Sequence, residues 1–254
     1  MMELYHFESL EKYPECFHAV TTKNESFPYQ GSLALHTGEE QYSIIQNRNQ
    51  IVSVLGVAKG YDFIVANQTH SDHIEVIIED QSRGWENSDD AIADCDALIT
   101  NQKGVILTIQ TADCVPILLF DPQKEVIAAI HAGWKGTSQK IAYKTVQKMQ
   151  EVFGCDPKDI IAAIAPSIGR CCYEVGQEVA SHFFDHPRTF DQKGDKFMLD
   201  LPLANQIHLL NAGLVQENIH MSGICTACEV ETFFSYRKEQ GCSGRFMSMI
   251  GLKH

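Results

Sequence analysis

The sequence has few basic residues for its length. Its 20 Lys and Arg stand against 33 Asp and Glu, which gives a formal net charge of -13 and a pI near 5.2. Non-specific binding to a phosphate backbone needs clustered Lys and Arg, so this balance argues against a nucleic-acid partner. It is typical of an acidic globular protein, and we expect the ligand to be a small molecule.

The sequence also has no long apolar run and no leader segment. No stretch approaches the roughly 20 apolar residues that a membrane-spanning helix needs. The first residues, Met1 to Glu8, have neither the basic start nor the apolar centre of a signal peptide. We therefore expect a cytoplasmic protein without membrane contact.

Linkers, low-complexity tracts and internal repeats are absent as well. A chain of 254 residues can bury a substantial core without being divided into domains. We therefore expect residues 1–254 to form a single compact catalytic domain, and the sequence leaves its oligomeric state open.

The nine cysteines form no compact disulfide framework. An odd, scattered set in a reducing compartment indicates buried thiols and one or two reactive ones. Adjacent Cys171 and Cys172 are predicted to be packing thiols, because a disulfide between neighbours is strained. Cys225 and Cys228, the Cys-x-x-Cys of the sequence, are predicted to be a structural thiol pair.

Two apolar runs at the centre of the chain predict buried strands that carry reactive side chains at their ends. Cys114 stands where the first run begins, and His131 stands where the second run stops. Pro116 cannot donate a hydrogen bond to a sheet, so a bend is expected just after Cys114. His70 follows a third apolar run that ends at Ala66. These three residues form a natural set of metal ligands.

One thiolate and two imidazoles are ligands that zinc prefers. No short spacing supplies a fourth ligand, so the set predicts a catalytic zinc with one coordination position left for water or substrate. Asp113 and Gln68 are candidates for contacts to the ligands or the substrate. The predicted metal ligands are therefore His70, Cys114 and His131.

Two other chemistries use the same residues. Cys114 could be a nucleophile with His131 as its base, provided that the thiolate is not bound to metal. Two His and one Cys also bind copper in blue-copper centres. Multicopper oxidases use several His-x-His pairs, however, and the sequence has none, so copper is a weaker candidate than zinc.

An arginine lies on the apolar face of a predicted helix from Glu39 to Leu55. Ile44, Arg48 and Ile51 recur at helical spacing and share one face, with Asn47 at its edge. A buried guanidinium needs carboxylates, carbonyls or an anionic ligand. Arg48 is therefore either a structural arginine or a ligand for an anion.

Other segments predict a mixture of strands and helices. We expect a helix from Gln139 to Phe153 capped by Thr137 or Ser138, a polar loop from Asp191 to Lys196, and a helix from Pro202 to Asn211. The segments starting at Phe233 and Arg245 are expected to pair as a hairpin. Because strands and helices do not alternate strictly, we expect an α+β fold of mixed β-sheets covered by helices.

Ordered motifs along nearly the whole chain resemble those of the YfiH-like family, which is labelled polyphenol oxidase or laccase domain and associated with purine nucleoside phosphorolysis. The motifs are Leu35-His-Thr-Gly, Gln46-Asn-Arg, Gln68-Thr-His-Ser, Asp96-Ala-Leu-Ile-Thr, Thr111-Ala-Asp-Cys-Val-Pro, His131-Ala-Gly-Trp-Lys-Gly-Thr, Pro166-Ser-Ile-Gly, Cys172-Tyr-Glu-Val-Gly and Phe234-Ser-Tyr-Arg.

The resemblance implies a zinc site made by His70, Cys114 and His131, and a substrate pocket that includes Asn47 and Arg48. It also implies phosphorolysis of adenosine, inosine, guanosine and methylthioadenosine, deamination of adenosine, and a link to peptidoglycan precursors. In phosphorolysis Arg48, together with Arg245, would hold the phosphate with planar, charged donors.

Phosphorolysis and deamination act on carbons at opposite ends of the nucleoside. One zinc ion cannot serve both carbons in a single pose, so either the substrate binds in two ways or the metal has different roles. Two further functions stay open: an amidase acting on a peptidoglycan precursor through zinc or Cys114, and a non-catalytic binding module stapled by metal.

Overall fold

Two large β-sheets pack face to face in the computed structural model, which describes residues 3–57, 60–78, 81–241 and 243–254. Over these residues the strands are β1 (Leu4–Tyr5), β2 (Cys16–Thr21), β3 (Asp62–Val65), β4 (Ile74–Val76), β5 (Ala97–Thr100), β6 (Val105–Thr111), β7 (Val115–Asp121), β8 (Val126–Ala132), β9 (Ile161–Ile164), β10 (Glu174–Val175), β11 (Phe190–Lys193), β12 (Lys196–Leu199), β13 (Ile219–Met221) and β14 (Phe246–Leu252). The α-helices are α1 (Glu8–Glu11), α2 (Gln41–Val54), α3 (Trp134–Ser138), α4 (Ile141–Phe153), α5 (Gln177–Ala180) and α6 (Leu201–Asn211). Short 3-10 turns cover Pro28–Gly31, Ser88–Asp90, Ser181–Phe183, Pro187–Thr189 and Gln216–Asn218.

Both large sheets contain parallel and antiparallel pairs. The five-stranded sheet has the order β1-β2-β14-β6-β3, and the six-stranded sheet has the order β13-β9-β7-β8-β5-β4. The pairs β3–β6, β4–β5 and β13–β9 are parallel, whereas the central pairs are antiparallel. The expected α+β fold with mixed sheets covered by helices is confirmed.

The core lies in three apolar layers, one between the sheets and one on each outer face. Leu107, Leu118 and Ile127 meet between the two sheets. The outer face of the six-stranded sheet packs against α4 and α6, and that of the five-stranded sheet packs against α2. Every residue of β6, β7, β8 and β14 is buried, because these strands are covered on both faces. Double coverage explains the nearly continuous apolar runs of β7 and β8, which lack polar and apolar alternation.

Helix α2 forms close to the predicted positions. The Glu40 carboxylate accepts hydrogen bonds from the N–H groups of Tyr42 and Ser43 and so caps the first turn. The left-handed Gly56 follows its end, as expected for a C-terminal glycine. The face that carries Ile44 and Arg48 is buried, so the helical spacing identified the correct side.

The expected helix from Gln139 to Phe153 begins two residues later, as α4 at Ile141, and ends at Phe153 as expected. Lys140 has a left-handed backbone, with φ of 63°, and separates α3 from α4. The expected cap by Thr137 or Ser138 is wrong, because Lys140 occupies the capping position of α4. The Ser138 hydroxyl donates to the Lys135 carbonyl at 2.8 Å, and the Thr137 hydroxyl oxygen accepts a hydrogen bond from the Asn205 side chain at 2.9 Å. Thr137 therefore ties α3 to α6, and α4 begins without a side-chain cap.

Two further predictions are wrong: the polar loop from Asp191 to Lys196 and the hairpin between the segments starting at Phe233 and Arg245. Asp191 to Lys196 is not a loop, because β11 and β12 pair there as an antiparallel hairpin whose outer strand is largely exposed. The segment from Phe233 does not pair with β14, since β2 and β6 occupy both edges of that strand. Among the described residues, none of the helices is both long and apolar enough to cross a bilayer.

Candidate active site

Three strand ends bring His70, Cys114 and His131 together. Strands β7 and β8 are antiparallel, with Pro116 opposite His131, so the start of β7 and the end of β8 lie at the same edge. His70 lies in the turn after β3 and has a left-handed backbone, with φ of 61°. One potential ligand atom from each side chain lies within 4.8 Å of the other two. The Nε2 atom of His70 is 3.7 Å from the Cys114 Sγ atom.

The bend expected after Cys114 lies before it. Asp113 has a φ of 91°, and β7 then continues through Pro116 without a break. Pro116 is tolerated because the pairing of β7 with β9 begins only at Ile117. The sharp turn at Asp113 therefore sets the direction in which the Cys114 thiol leaves the sheet.

Asp96, which was not among the predicted site residues, contacts the side chain of His131 and the backbone of His70. It has no exposed surface, and its carboxylate accepts a hydrogen bond from His131 Nδ1 at 2.6 Å. The same carboxylate accepts the backbone N–H groups of His70 and Ser71, at 3.1 and 2.7 Å. Because Nδ1 of His131 is the donor to Asp96, its Nε2 is left to bind metal.

Gly133 makes room for this cluster. A Cβ atom at this position would lie 2.8 Å from Cδ2 of His70 and 3.2 Å from Sγ of Cys114. The first distance is shorter than real Cβ contacts, so a side chain here would displace the imidazole. Gly133 is thus required by the close approach of two candidate ligands to the backbone.

The electrostatics of the cluster favour a thiolate. Burial alone would raise the pKa of Cys114, but the charge of His131 and hydrogen bonds from both imidazoles lower it to about 6. Burial would likewise lower the pKa of His131, yet the Cys114 thiolate and Asp96 raise it to about 9. Burial alone would raise the pKa of Asp96. The hydrogen bond and charge of His131, together with the hydrogen bonds from Ser71, instead hold this pKa well below its usual range. Thiolate is the form that both metal binding and nucleophilic attack require.

The three side chains fit a metal ion by their chemistry and spacing. Sulfur and imidazole nitrogen are zinc ligands, and Asp96 provides the carboxylate that typically orients a zinc-bound histidine. The same three ligand types occur in blue-copper centres, so the donor set by itself indicates a candidate metal site and does not identify the metal.

A cavity of about 550 Å³ opens onto the cluster and is bordered by all three candidate ligands. This volume lies in the range of small-molecule pockets. Aromatic rings of Trp134, Tyr173 and Tyr236 form part of the wall. Basic side chains that border the same cavity are His36, Arg48, Arg237 and Arg245.

Gln68 and Asp113 border the cavity but are largely occupied by protein contacts. The Gln68 amide forms two hydrogen bonds with the backbone of Gln110, both at 2.8 Å. The Asp113 carboxylate accepts hydrogen bonds from the Thr226 hydroxyl and the Arg237 N–H, both at 2.6 Å. Their contacts hold the loops around Cys114 and His70 in place.

Arg48 is 1% exposed and uses backbone carbonyls as its main partners. Its Nε and Nη2 atoms donate to the Leu33 carbonyl, and Nη1 donates to the carbonyls of Gly84 and Trp85. Burial lowers its pKa to about 9. A guanidinium has five N–H donors, so one hydrogen on Nη2 stays available to the cavity.

Asn47 and Arg245 differ in their relation to the cavity. The Asn47 amide is buried and donates to the carbonyls of Pro28 and Ser32, both at 2.9 Å, and Asn47 is not among the described residues that border the cavity. Arg245 donates from Nη1 to Ser243 and Gly244, and its Nε and Nη2 groups have no hydrogen-bond partner among the described residues. Arg245 therefore has more free donors than Arg48.

Several residues at the site had no role predicted from the sequence: Asp96, His36, Trp134, Tyr173, Tyr236 and Arg237. All six lie inside the motifs quoted above. The motif positions were the available signal, but a motif alone does not show which of its side chains face the cavity.

Comparison with known proteins agrees with the observed fold. A family model described as "Multi-copper polyphenol oxidoreductase laccase" matches residues 17–253. Purine nucleoside phosphorylase YlmD of Bacillus subtilis is 34% identical over 243 residues, covering 92% of this chain and 87% of that protein. Adenosine deaminase RL5 from an unknown prokaryotic organism is 35% identical over 231 residues, covering 86% of each chain. The crystal structure of Bacillus licheniformis YfiH superposes with a TM-score of 0.90 at 34% identity, covering 96% of this chain and 95% of the other.

Proposed function

The chain belongs to the family described as multi-copper polyphenol oxidoreductase laccase, and we propose that it is a zinc-dependent purine nucleoside phosphorylase that also deaminates adenosine. Its substrates would be adenosine, inosine, guanosine or S-methyl-5′-thioadenosine together with phosphate. The products would be the free base and the 1-phosphate of the sugar. The names of its relatives as purine nucleoside phosphorylases and as an adenosine deaminase support this proposal.

The observation that carries the proposal is a single cavity bordered by two chemically different groups. One group is the set of candidate metal ligands, and the other is a cluster of basic side chains that includes His36 and Arg245. A nucleoside and a phosphate ion require these two environments within one pocket.

The basic cluster supports phosphate binding. Burial, followed by the charges of Arg245 and Arg48, lowers the pKa of His36, so these three groups lie close enough to repel one another. An anion between them would relieve this repulsion and would accept charge-assisted hydrogen bonds. Arg245, with its free Nε and Nη2 groups, would be the main phosphate ligand, and the remaining Arg48 hydrogen would add to it.

In phosphorolysis an oxygen of the phosphate forms a bond to the anomeric carbon of the sugar. The bond from that carbon to the purine nitrogen breaks, and the purine leaves with the electron pair and takes up a proton. The transition state carries positive charge on the sugar, so a phosphate held beside it also stabilises that charge. The rings of Trp134, Tyr173 and Tyr236 offer apolar faces to the base.

A metal ion bound by His70, Cys114 and His131 would act as a Lewis acid and lower the pKa of a coordinated water toward about 7. Asp96 holds the His131 ring so that Nε2 is available as a ligand. His131 in turn keeps Cys114 in its thiolate form near neutral pH. Because deamination and phosphorolysis act on opposite ends of the nucleoside, we propose that the base binds in two orientations within the cavity.

Zinc is proposed in preference to copper despite the family description. Multicopper oxidases need several copper ions and several His-x-His pairs, and the sequence contains no such pair. The sequence therefore lacks the copper ligands that a multicopper oxidase of phenols would need. The cytoplasmic location of the protein stays a prediction from the sequence.

The pairing of Cys114 with His131 favours a second candidate function. A thiol with a pKa of about 6 next to an imidazole with a pKa of about 9 is the arrangement of a cysteine nucleophile and its base. Such a pair could attack an amide carbonyl of a peptidoglycan precursor. This alternative requires a Cys114 that is not bound to metal.

Incubation of the purified protein with inosine and phosphate tests the main proposal. We expect hypoxanthine and ribose 1-phosphate by liquid chromatography, and loss of both products when phosphate is omitted. Release of base without phosphate would indicate a hydrolase, and no release under either condition would reject the phosphorylase. Conversion of adenosine to inosine without phosphate tests the deaminase, and release of an amine from a muropeptide tests the amidase.

A further inference from the structure

Four cysteines from two distant segments form a second cluster. The Sγ atoms of Cys171, Cys172, Cys225 and Cys228 all lie within 4.8 Å of one another. The Sγ atom of Cys228 is 3.6 Å from that of Cys171 and 3.5 Å from that of Cys172. From the sequence, Cys171 and Cys172 were expected to be packing thiols and Cys225 and Cys228 a separate structural pair, but the four residues form one cluster.

The backbone of both loops is arranged to hold the cluster. Cys225 lies beside Ser167 in a short parallel bridge, and the Thr226 N–H donates to the Ser167 carbonyl at 3.1 Å. The N–H groups of Cys228 and Glu229 donate to the Cys225 carbonyl at 3.1 and 2.9 Å, forming a tight turn. This turn brings both thiols of the Cys-x-x-Cys motif to the same side.

Gly169 lets the second loop approach this turn. A Cβ atom on Gly169 would lie 3.3 Å from the Cβ atom of Cys225, so the glycine leaves space for the sulfur cluster. Its N–H donates a hydrogen bond to the Cys225 Sγ atom at 3.3 Å. A backbone donor to a cysteine sulfur is the kind of contact that stabilises a thiolate ligand.

We propose that Cys171, Cys172, Cys225 and Cys228 bind a structural zinc ion, at a site separate from the one made by His70, Cys114 and His131. Zn–S bonds of about 2.3 Å at tetrahedral angles place the sulfurs about 3.8 Å apart. The two measured sulfur separations, 3.5 and 3.6 Å, are close to this value. Four protein ligands fill a tetrahedral shell, so this site would leave no position for substrate.

A disulfide does not account for the cluster. Its sulfurs would be about 2.05 Å apart, well below both separations at Cys228. Cys228 lies at nearly the same distance from Cys171 and Cys172, yet it can form a disulfide with only one of them. Either choice would leave the other of these two thiols in contact with Cys228 without a bond to it.

Packing does not account for the cluster either. Cys16, Cys95 and Cys155 are buried and behave as small apolar residues. Cys171 and Cys228 are exposed, and Cys172 and Cys225 are half-buried. Four thiols at the surface contribute little to the core but are accessible to a metal ion.

The proposed zinc lies next to the wall of the large cavity. Thr226, between the two cysteines of the turn, donates its hydroxyl hydrogen to the Asp113 carboxylate at 2.6 Å. Tyr173, directly after Cys172, borders the cavity. A zinc ion that joins the two loops would therefore fix Tyr173 and Asp113 relative to Cys114.

Metal analysis of single-site variants tests the proposal. We expect wild-type protein purified from zinc-supplemented medium to hold two zinc ions per chain, and Cys228→Ser and His131→Ala to hold one each. The double variant should hold none. A zinc content in Cys228→Ser equal to that of wild type would overturn the proposal, as would a wild-type mass under non-reducing conditions that lacks two hydrogens and maps to a disulfide at Cys228.

X-ray absorption of zinc-loaded His131→Ala covers the case in which Cys228→Ser does not fold. This variant should retain only the cysteine site, so we expect four sulfur neighbours at about 2.3 Å around the zinc. A first shell with nitrogen or oxygen ligands, or no bound zinc, would reject the site. Both measurements are independent of nucleoside turnover, so failure of the phosphorylase proposal would leave this result unaffected.

Discussion

The imidazole of His131 donates a hydrogen bond from Nδ1 to the carboxylate of Asp96 at 2.6 Å, and both side chains are almost fully buried. The same carboxylate binds the backbone at His70. A single buried acid thus sets the orientation of one candidate metal ligand and the loop that carries another. This arrangement fixes the geometry of the candidate metal site before any ion or substrate binds.

Replacement of Asp96 by Asn should weaken metal binding. The amide has no negative charge to orient the His131 ring, and substitutions of this kind lower metal affinity or activity by about 10- to 100-fold. Zinc titration with a competing chelator measures the change. The exposed Asp89→Asn variant is the control and should bind zinc like wild type. Equal zinc affinity in Asp96→Asn and wild type would show that Asp96 does not support the ligands.

Addition of a methyl group at Gly133 should also weaken metal binding by His70, Cys114 and His131. The new Cβ atom of Gly133→Ala would lie 2.8 Å from the His70 ring and would force it to move. Overpacking of this size costs about 1–3 kcal/mol, so zinc affinity should fall by roughly 5-fold or more. Lys135→Ala, an exposed change on the same turn, should leave zinc affinity unchanged. Retention of full affinity in Gly133→Ala would mean that His70 is not a ligand.

Removal of the Arg245 charge should weaken the binding of phosphate without changing the binding of the nucleoside. Hydrogen bonds to charged groups contribute about 1.5–3 kcal/mol, so Arg245→Gln should raise the KM for phosphate by about 10- to 100-fold. Steady-state kinetics with inosine in excess measures this effect. Arg83→Gln, which alters an arginine that does not border the cavity, is the matched control. An unchanged KM for phosphate in Arg245→Gln would exclude this residue as a phosphate ligand.

Replacement of Arg48 should act mainly on stability. Arg48→Met would leave the carbonyls of Leu33, Gly84 and Trp85 buried without donors, at a cost of about 1–3 kcal/mol for each group. We expect the free energy of unfolding to fall by about 3 kcal/mol or more in urea denaturation. A variant with wild-type stability and a raised KM for phosphate would instead show that Arg48 acts chiefly as the phosphate clamp.

Buried His18 should make the fold sensitive to acid. Its Nε2 atom accepts the Phe7 N–H at 2.7 Å, and burial, with a smaller contribution from His6, lowers its pKa from 6.5 to about 4. Because the unfolded chain takes up the proton first, His18 stabilises the fold fully above pH 6.5, and this contribution is lost as the pH falls toward about 4. The full effect is about 3 kcal/mol.

Urea denaturation at several pH values measures this loss. His18→Gln keeps an acceptor for Phe7 but has no imidazole to protonate, so its stability should fall less than that of wild type between pH 6.5 and 4. Substitution of the exposed His182 by Gln is the control and should follow the wild-type curve. Parallel curves for wild type and His18→Gln would contradict the prediction.

The sequence by itself determined the local features of this protein. The spacing of apolar residues placed α2 and the buried face of Arg48, because helical periodicity is a property of neighbouring residues. Apolar runs located β7 and β8, and the chemistry of Cys and His marked candidate ligands at their ends. Each of these inferences needed only residues that are close together in the chain.

Only the tertiary structure decided which distant residues meet. The position of β14 between β2 and β6, the bond from Asp96 to His131, and the convergence of Cys171 and Cys172 with Cys225 and Cys228 all depend on strand order and loop packing. Strand partners are selected by how whole sheets bury their faces against each other, and this selection leaves no fixed spacing in the sequence. For that reason the candidate ligands could be named from the sequence, whereas the buried acid that orients them and the second cysteine cluster emerged only from the folded chain.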